Sequence, residues 1–227
     1  MGDAGTVLLY ILGALVVVGI LYWQYKAKQK KITEFRAFAA KRRWQYFERG
    51  DSKLENRFLD EPFGQGQDRR ARHVFRGEHR GRKILAYEYS YTTYSNDSDG
   101  RRRAETHDHV ITSVYLPKPK PVLELAREGF GRKLLGFVGV RDLQLESEQF
   151  NEKFLIKTDD NRFAYDILHP RMMEWMLGDE RALRYGFRFE RGDLMVWDHG
   201  QLQLDDVMAR LDYLCDILDQ VPDYVWK

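Results

Sequence analysis

The stretch from Thr6 to Tyr25, TVLLYILGALVVVGILYWQY, decides the fold. No charged residue lies between Asp3 and Lys26, and eleven of these twenty residues are Val, Leu or Ile. Twenty helical residues extend about 30 Å, which is the hydrocarbon thickness of a bilayer. On the insertion scale, eleven such side chains contribute roughly −3 to −7 kcal/mol, and no charged side chain opposes that gain. The sequence therefore predicts a transmembrane helix at 6–25 that contacts the lipid bilayer.

The charges beside this helix predict its orientation. From Lys26 to Arg49 there are nine basic and two acidic residues, whereas the N-terminal flank carries only Asp3. The positive-inside rule then places the tail 1–5 outside the plasma membrane, and a basic juxtamembrane helix (26–43) and a domain (44–227) in the cytoplasm. A cleaved signal peptide is the alternative, but it requires a basic N-terminal region and a small-x-small cleavage site. The chain shows neither.

The single cysteine agrees with a reducing compartment. One thiol excludes a disulfide framework within the chain, and Cys215 lies on an apolar helical face of the predicted C-terminal helix. We therefore expect Cys215 to be buried and inert.

The residues after Arg43 predict an α+β fold with a mainly antiparallel sheet. Alternating apolar and aromatic residues predict strands at 44–48, 73–78, 82–92, 106–116 and 122–126 and a hairpin at 187–197. Short helices are predicted at 161–168, where Asp160 is an N-cap, and at 171–177 after Pro170, followed by a long C-terminal helix at 204–218. The segment 94–105, which is rich in polar and charged residues, is predicted to be a mobile loop. A pleckstrin-homology-like barrel is one architecture with this order of elements.

Two stretches carry a family resemblance. RGEHRGRKILAYEYSYTT (76–93) and FNEKFLIKTDDNRFAYDILHPRMMEWML (150–177), together with the ending VPDYVWK, resemble a family of single-pass membrane proteins common in actinobacteria, a domain of unknown function. The resemblance covers most of the chain after Lys41. It implies a bacterial plasma-membrane protein, and it implies no activity and no catalytic residues.

The basic residues after the transmembrane helix are the candidate contacts to lipid headgroups or to a protein partner. Cationic side chains next to a membrane are attracted to anionic lipids. The candidates are Lys26, Lys28, Lys30, Lys31, Lys41, Arg42 and Arg43.

His107 and His109 are weak candidates for a metal site. Residues i and i+2 of a strand share a face, so both rings could approach one ion. A catalytic zinc site needs a third protein ligand, which His73, His79, His169 or His199 would have to supply, and no motif connects them. Solvent-facing strand histidines are the competing interpretation, and the sequence predicts no cofactor.

Tyr87, Tyr89 and Tyr91 lie on one face of a predicted strand. They could stack on a flat ligand, with the glycine-rich segment 129–139 completing a pocket. A half-buried aromatic strand explains them better, and nucleic-acid binding is not expected because basic residues are not interleaved on that face.

Three functions remain open at this point. The sequence lacks the common phosphate-binding, nucleophile-elbow, HExxH and CxxC motifs, which makes an enzyme the less favoured class. The favoured hypothesis is a membrane-tethered cytoplasmic binding or scaffold module that engages a membrane-associated protein or the anionic inner leaflet. The alternatives are a metal-dependent hydrolase that uses His107 and His109, and a membrane-anchored small-molecule sensor.

Overall fold

The chain divides into two units, Met1–Arg43 and Trp44–Lys227. The structure, a computed structural model, describes residues 3–59, 61–96, 100–127 and 141–227. The glycine-rich segment 129–139, predicted as part of a ligand pocket, lies outside the described residues.

The first unit is one helix. Helix α1 runs from Asp3 to Lys41 over 39 residues, so it is about 58 Å long, which is twice the thickness of the hydrocarbon core. It is long and apolar enough to cross a membrane, with a mean hydropathy of 2.3 over its most apolar window. None of that window is buried within the protein. The predicted membrane helix and the predicted basic helix are therefore continuous, and no loop separates them.

The described residues of the second unit form a nine-stranded antiparallel sheet. Its strands are β1 (Gln45–Arg49), β2 (Gln67–His79), β3 (Arg82–Asn96), β4 (Arg102–Tyr115), β5 (Leu123–Arg127), β6 (Arg141–Asp142), β7 (Phe154–Thr158), β8 (Phe187–Glu190) and β9 (Asp193–His199). The strand order is β1-β2-β3-β4-β9-β8-β5-β7-β6. A pleckstrin-homology-like barrel is not formed by these strands, because β1 and β6 stand at the two ends of the order and no described pairing joins them.

Helices complete the unit, and the antiparallel α+β prediction is confirmed. They are α2 (Ser52–Glu55), α3 (Glu148–Lys153), α4 (Asn161–Ile167), α5 (Pro170–Gly178), α6 (Glu180–Tyr185) and α7 (Leu204–Gln220), followed by a short 3₁₀ turn at Asp223–Trp226. Helix α7 packs against β3, β4 and β9. Its apolar side includes Leu211, Leu214 and Cys215, all fully buried, so the cysteine is buried as expected.

Short-range signals explain several element boundaries. Asp160 caps α4 by accepting a hydrogen bond from the Phe163 N–H at 3.1 Å, as predicted. The β2–β3 hairpin turns at Arg80 and Gly81, whose φ angles are +50° and +75°. Positive φ at both turn residues matches the right-handed twist of the two strands, and glycine accepts it without strain.

The prediction of a mobile loop at 94–105 is wrong. Strands β3 and β4 continue through most of that segment, with Thr93 opposite Glu105 and Asn96 opposite Arg102. This part of the hairpin is polar because it extends beyond the packed sheet and both of its faces meet water. A strand without a buried face has no apolar alternation, so its sequence resembles that of a loop.

Candidate functional site

The seven basic candidates lie on α1 and at its C-terminal end, in two groups. Lys41 follows Lys26 by fifteen residues, which is about 22 Å along the helix axis. The Debye length at physiological ionic strength is about 8 Å, so a charge that far from the membrane surface is screened from lipid headgroups. For an upright helix that spans the bilayer at the predicted residues 6–25, only Lys26, Lys28, Lys30 and Lys31 among the candidates would lie close enough to attract anionic lipids.

The distal group has a local structural explanation. The Arg42 guanidinium lies 3.6 Å from the Phe38 ring centroid and donates a hydrogen bond to the Phe38 carbonyl at 3.3 Å. Arg43 has a φ of +59°, the left-handed conformation in which many helices end. These two residues terminate α1, and this role does not require a lipid.

The membrane-proximal group adjoins an aromatic cluster that our sequence interpretation missed. Tyr22, Trp23 and Tyr25 are exposed on α1, and the Lys26 ammonium lies 5.8 Å from the Tyr22 ring centroid. Trp and Tyr favour the membrane–water interface because their rings are apolar and their ends are polar. The sequence signal was available, because aromatic residues directly before a lysine cluster indicate the cytoplasmic boundary of a membrane helix.

We predict that the four proximal lysines bind anionic lipid. Replacing Lys26, Lys28, Lys30 and Lys31 with Gln should remove about 1 kcal/mol of attraction for each charge near the surface. The full-length protein in mixed phosphatidylglycerol–phosphatidylcholine nanodiscs should then lose its enrichment in phosphatidylglycerol, measured by mass spectrometry of retained lipid. Lys41→Gln with Arg43→Gln is the matched control and should retain the enrichment. Equal loss in both variants would contradict the division into two groups.

The histidine candidates lie on one sheet face, as predicted. Tyr91 stacks on His107 and His109 with centroid separations of 4.8 and 5.7 Å, and His109 lies 4.6 Å from His199. The described residues contain no group of three or more His, Cys, Asp or Glu side chains arranged to hold a metal ion.

The other three histidines are engaged elsewhere. His73 hydrogen-bonds to the Tyr46 hydroxyl, His79 to Asp212, and His169 caps α5 through the Met172 N–H. These three histidines are therefore not available as the third ligand that the hydrolase hypothesis requires. His199 lies next to His109, but the described residues do not arrange it with His107 and His109 as a group that could hold a metal ion.

His109 is 2% exposed, which contradicts the interpretation that both histidines face solvent. Burial, assisted by the nearby His199 and His107, lowers the pKa of His109 to about 4. The neutral ring is therefore favoured in the folded state.

We predict that His109 makes folding sensitive to pH. Between pH 6.5 and pH 4 the unfolded chain binds a proton at His109 that the folded chain does not bind. Stability is therefore lost as the pH falls through that window, by about 2 kcal/mol between pH 7.5 and pH 5. Urea unfolding of His109→Phe should show a smaller decline than the wild type over the same range. The same decline in both proteins would show that His109 is not responsible.

The tyrosine candidates belong to the core. Tyr87 and Tyr89 are fully buried, and the Phe63 ring lies 4.8 Å from that of Tyr89. Burial raises the pKa of Tyr89 to about 12. The strand is thus more deeply buried than the half-buried aromatic strand that we predicted. Neither of these two rings can contact a ligand, which the sensor hypothesis requires.

A buried ionic cluster was missed by our sequence interpretation. Arg188 is 0% exposed and donates to one Glu124 oxygen from Nε at 2.9 Å and from Nη2 at 2.6 Å. Its guanidinium also lies 3.6 Å from Glu190 and 4.3 Å from the Trp197 ring centroid. The alternation in FRFE indicates a strand with one polar face, and nothing local distinguishes a buried polar face from a solvated one.

Glu190 of this ionic cluster and the neighbouring Asp193 hold residues 57–59 against the sheet. Asp193 accepts from Arg57 at 2.7 Å and from Ser113 at 3.0 Å, and Glu190 accepts from the Leu59 N–H at 2.9 Å. Burial raises the pKa of Asp193, although Arg57 and Ser113 act in the opposite direction. These contacts on either side of Phe58 keep its ring packed in the core, so the buried ionic groups have a structural role.

The comparisons with known proteins concern the fold. No family model matches the sequence, and no curated protein matches it. Among solved structures, the crystal structure of the mycobacterial trehalose monomycolate transport factor A, TtfA, is similar, with a TM-score of 0.59 and 12% sequence identity. The similarity covers 83% of this chain and 94% of that chain. At this identity it shows a shared fold. The neighbour is a mycobacterial, and therefore actinobacterial, protein, and the family that the sequence resembles is common in actinobacteria.

Proposed function

We propose that this chain is a membrane-tethered binding module of the bacterial plasma membrane. Helix α1 crosses the bilayer at 6–25 with its N-terminus outside, and Trp44–Lys227 binds a membrane-associated protein partner in the cytoplasm. The observation that carries the proposal is the unbroken α1, which joins an exposed apolar span to a lysine cluster and then to the folded unit. Tethering raises the effective concentration of the folded unit near other proteins of the same membrane.

A binding role agrees with the chemistry of the described residues. Two groups with shifted pKa values lie in packed or ion-paired surroundings: His109 among rings, and Asp193 between Arg57 and Ser113. Perturbed pKa values in an enzyme site would instead converge on an accessible cleft.

We further propose that the module is an accessory factor in transport. The neighbour with a similar fold is described as a transport factor for trehalose monomycolate, a statement about that protein. The shared fold and the predicted membrane anchor together support a similar role for this chain. In that role it assists a membrane transporter and does not catalyse a reaction.

Proximity labelling in the native host tests the proposal. A labelling enzyme fused after Lys227 should mark a small set of inner-membrane proteins. The control fusion carries two arginines in the membrane segment, Leu12→Arg and Val16→Arg, and should lose that set. If bulk cytosolic proteins dominated the labelling in both fusions, the result would contradict the proposal of a membrane-tethered module.

A further inference from the structure

We draw no further inference here: the strongest candidate, the side-chain cluster of Arg184, Tyr185 and Arg210 between α6 and α7, carries nothing because its two arginines already face the carboxylates of Asp206 and Asp198, and no second observation among the described residues points to a ligand.

Discussion

Replacing Leu12 and Val16 with arginine should release the protein from the membrane fraction. Each arginine near the centre of a spanning helix opposes insertion by about 2.5 to 3.5 kcal/mol, so two of them offset the whole gain from the apolar side chains. The two positions are four residues apart on one side of α1, and both are exposed. Carbonate extraction followed by immunoblotting measures the change. We expect a shift from the pellet to the soluble or aggregated fraction.

The matched control uses the same chemistry outside the membrane segment. Thr33→Arg with Ala37→Arg places two arginines with the same spacing on exposed positions of the same helix. That variant should remain in the pellet. If both double variants were released, helix destabilisation would explain the result and the membrane span would lose its support.

Removing the buried Arg188 should strongly destabilise the folded unit. Arg188→Met leaves the carboxylates of Glu124 and Glu190 buried without their guanidinium, and breaking one partner of a buried pair costs about 3 to 5 kcal/mol. Urea unfolding of the full-length protein, followed by tryptophan fluorescence, should show that loss in the free energy of unfolding.

Arg184→Met is the matched control for this change. Arg184 is largely exposed and lies 3.6 Å from Asp206, so its loss should change the free energy of unfolding by no more than about 0.5 kcal/mol. A loss below about 1 kcal/mol for Arg188→Met would show that the ion cluster is not a determinant of stability.

The parts of the fold that the sequence predicted are those with local causes. The long apolar helix follows from composition, and the α4 start from Asp160. Each of these depends on residues within a few positions of one another. The strand order was not predictable in this way, because β4 pairs with β9 and β5 with β8 across long stretches of chain.

The candidate sites, too, were predictable only where their cause lies in neighbouring residues of the sequence. The lysine cluster and the shared face of His107 and His109 were visible in the sequence. The burial of His109 and Arg188 was not, because it depends on which segments cover that face. The aromatic boundary at Tyr22, Trp23 and Tyr25 was readable from composition and was missed.

Thiol labelling in intact cells tests the membrane-tethered topology most directly. Gly5→Cys places a thiol in the N-terminal tail, and Tyr224→Cys places one on the exposed C-terminal turn, in a chain whose native cysteine is buried. A membrane-impermeant maleimide should label Gly5→Cys in intact cells, or in spheroplasts where the envelope blocks access, and should label Tyr224→Cys only after lysis. Labelling of Tyr224→Cys before lysis, or recovery of either protein in the soluble fraction, would contradict a cytoplasmic module held by one spanning helix.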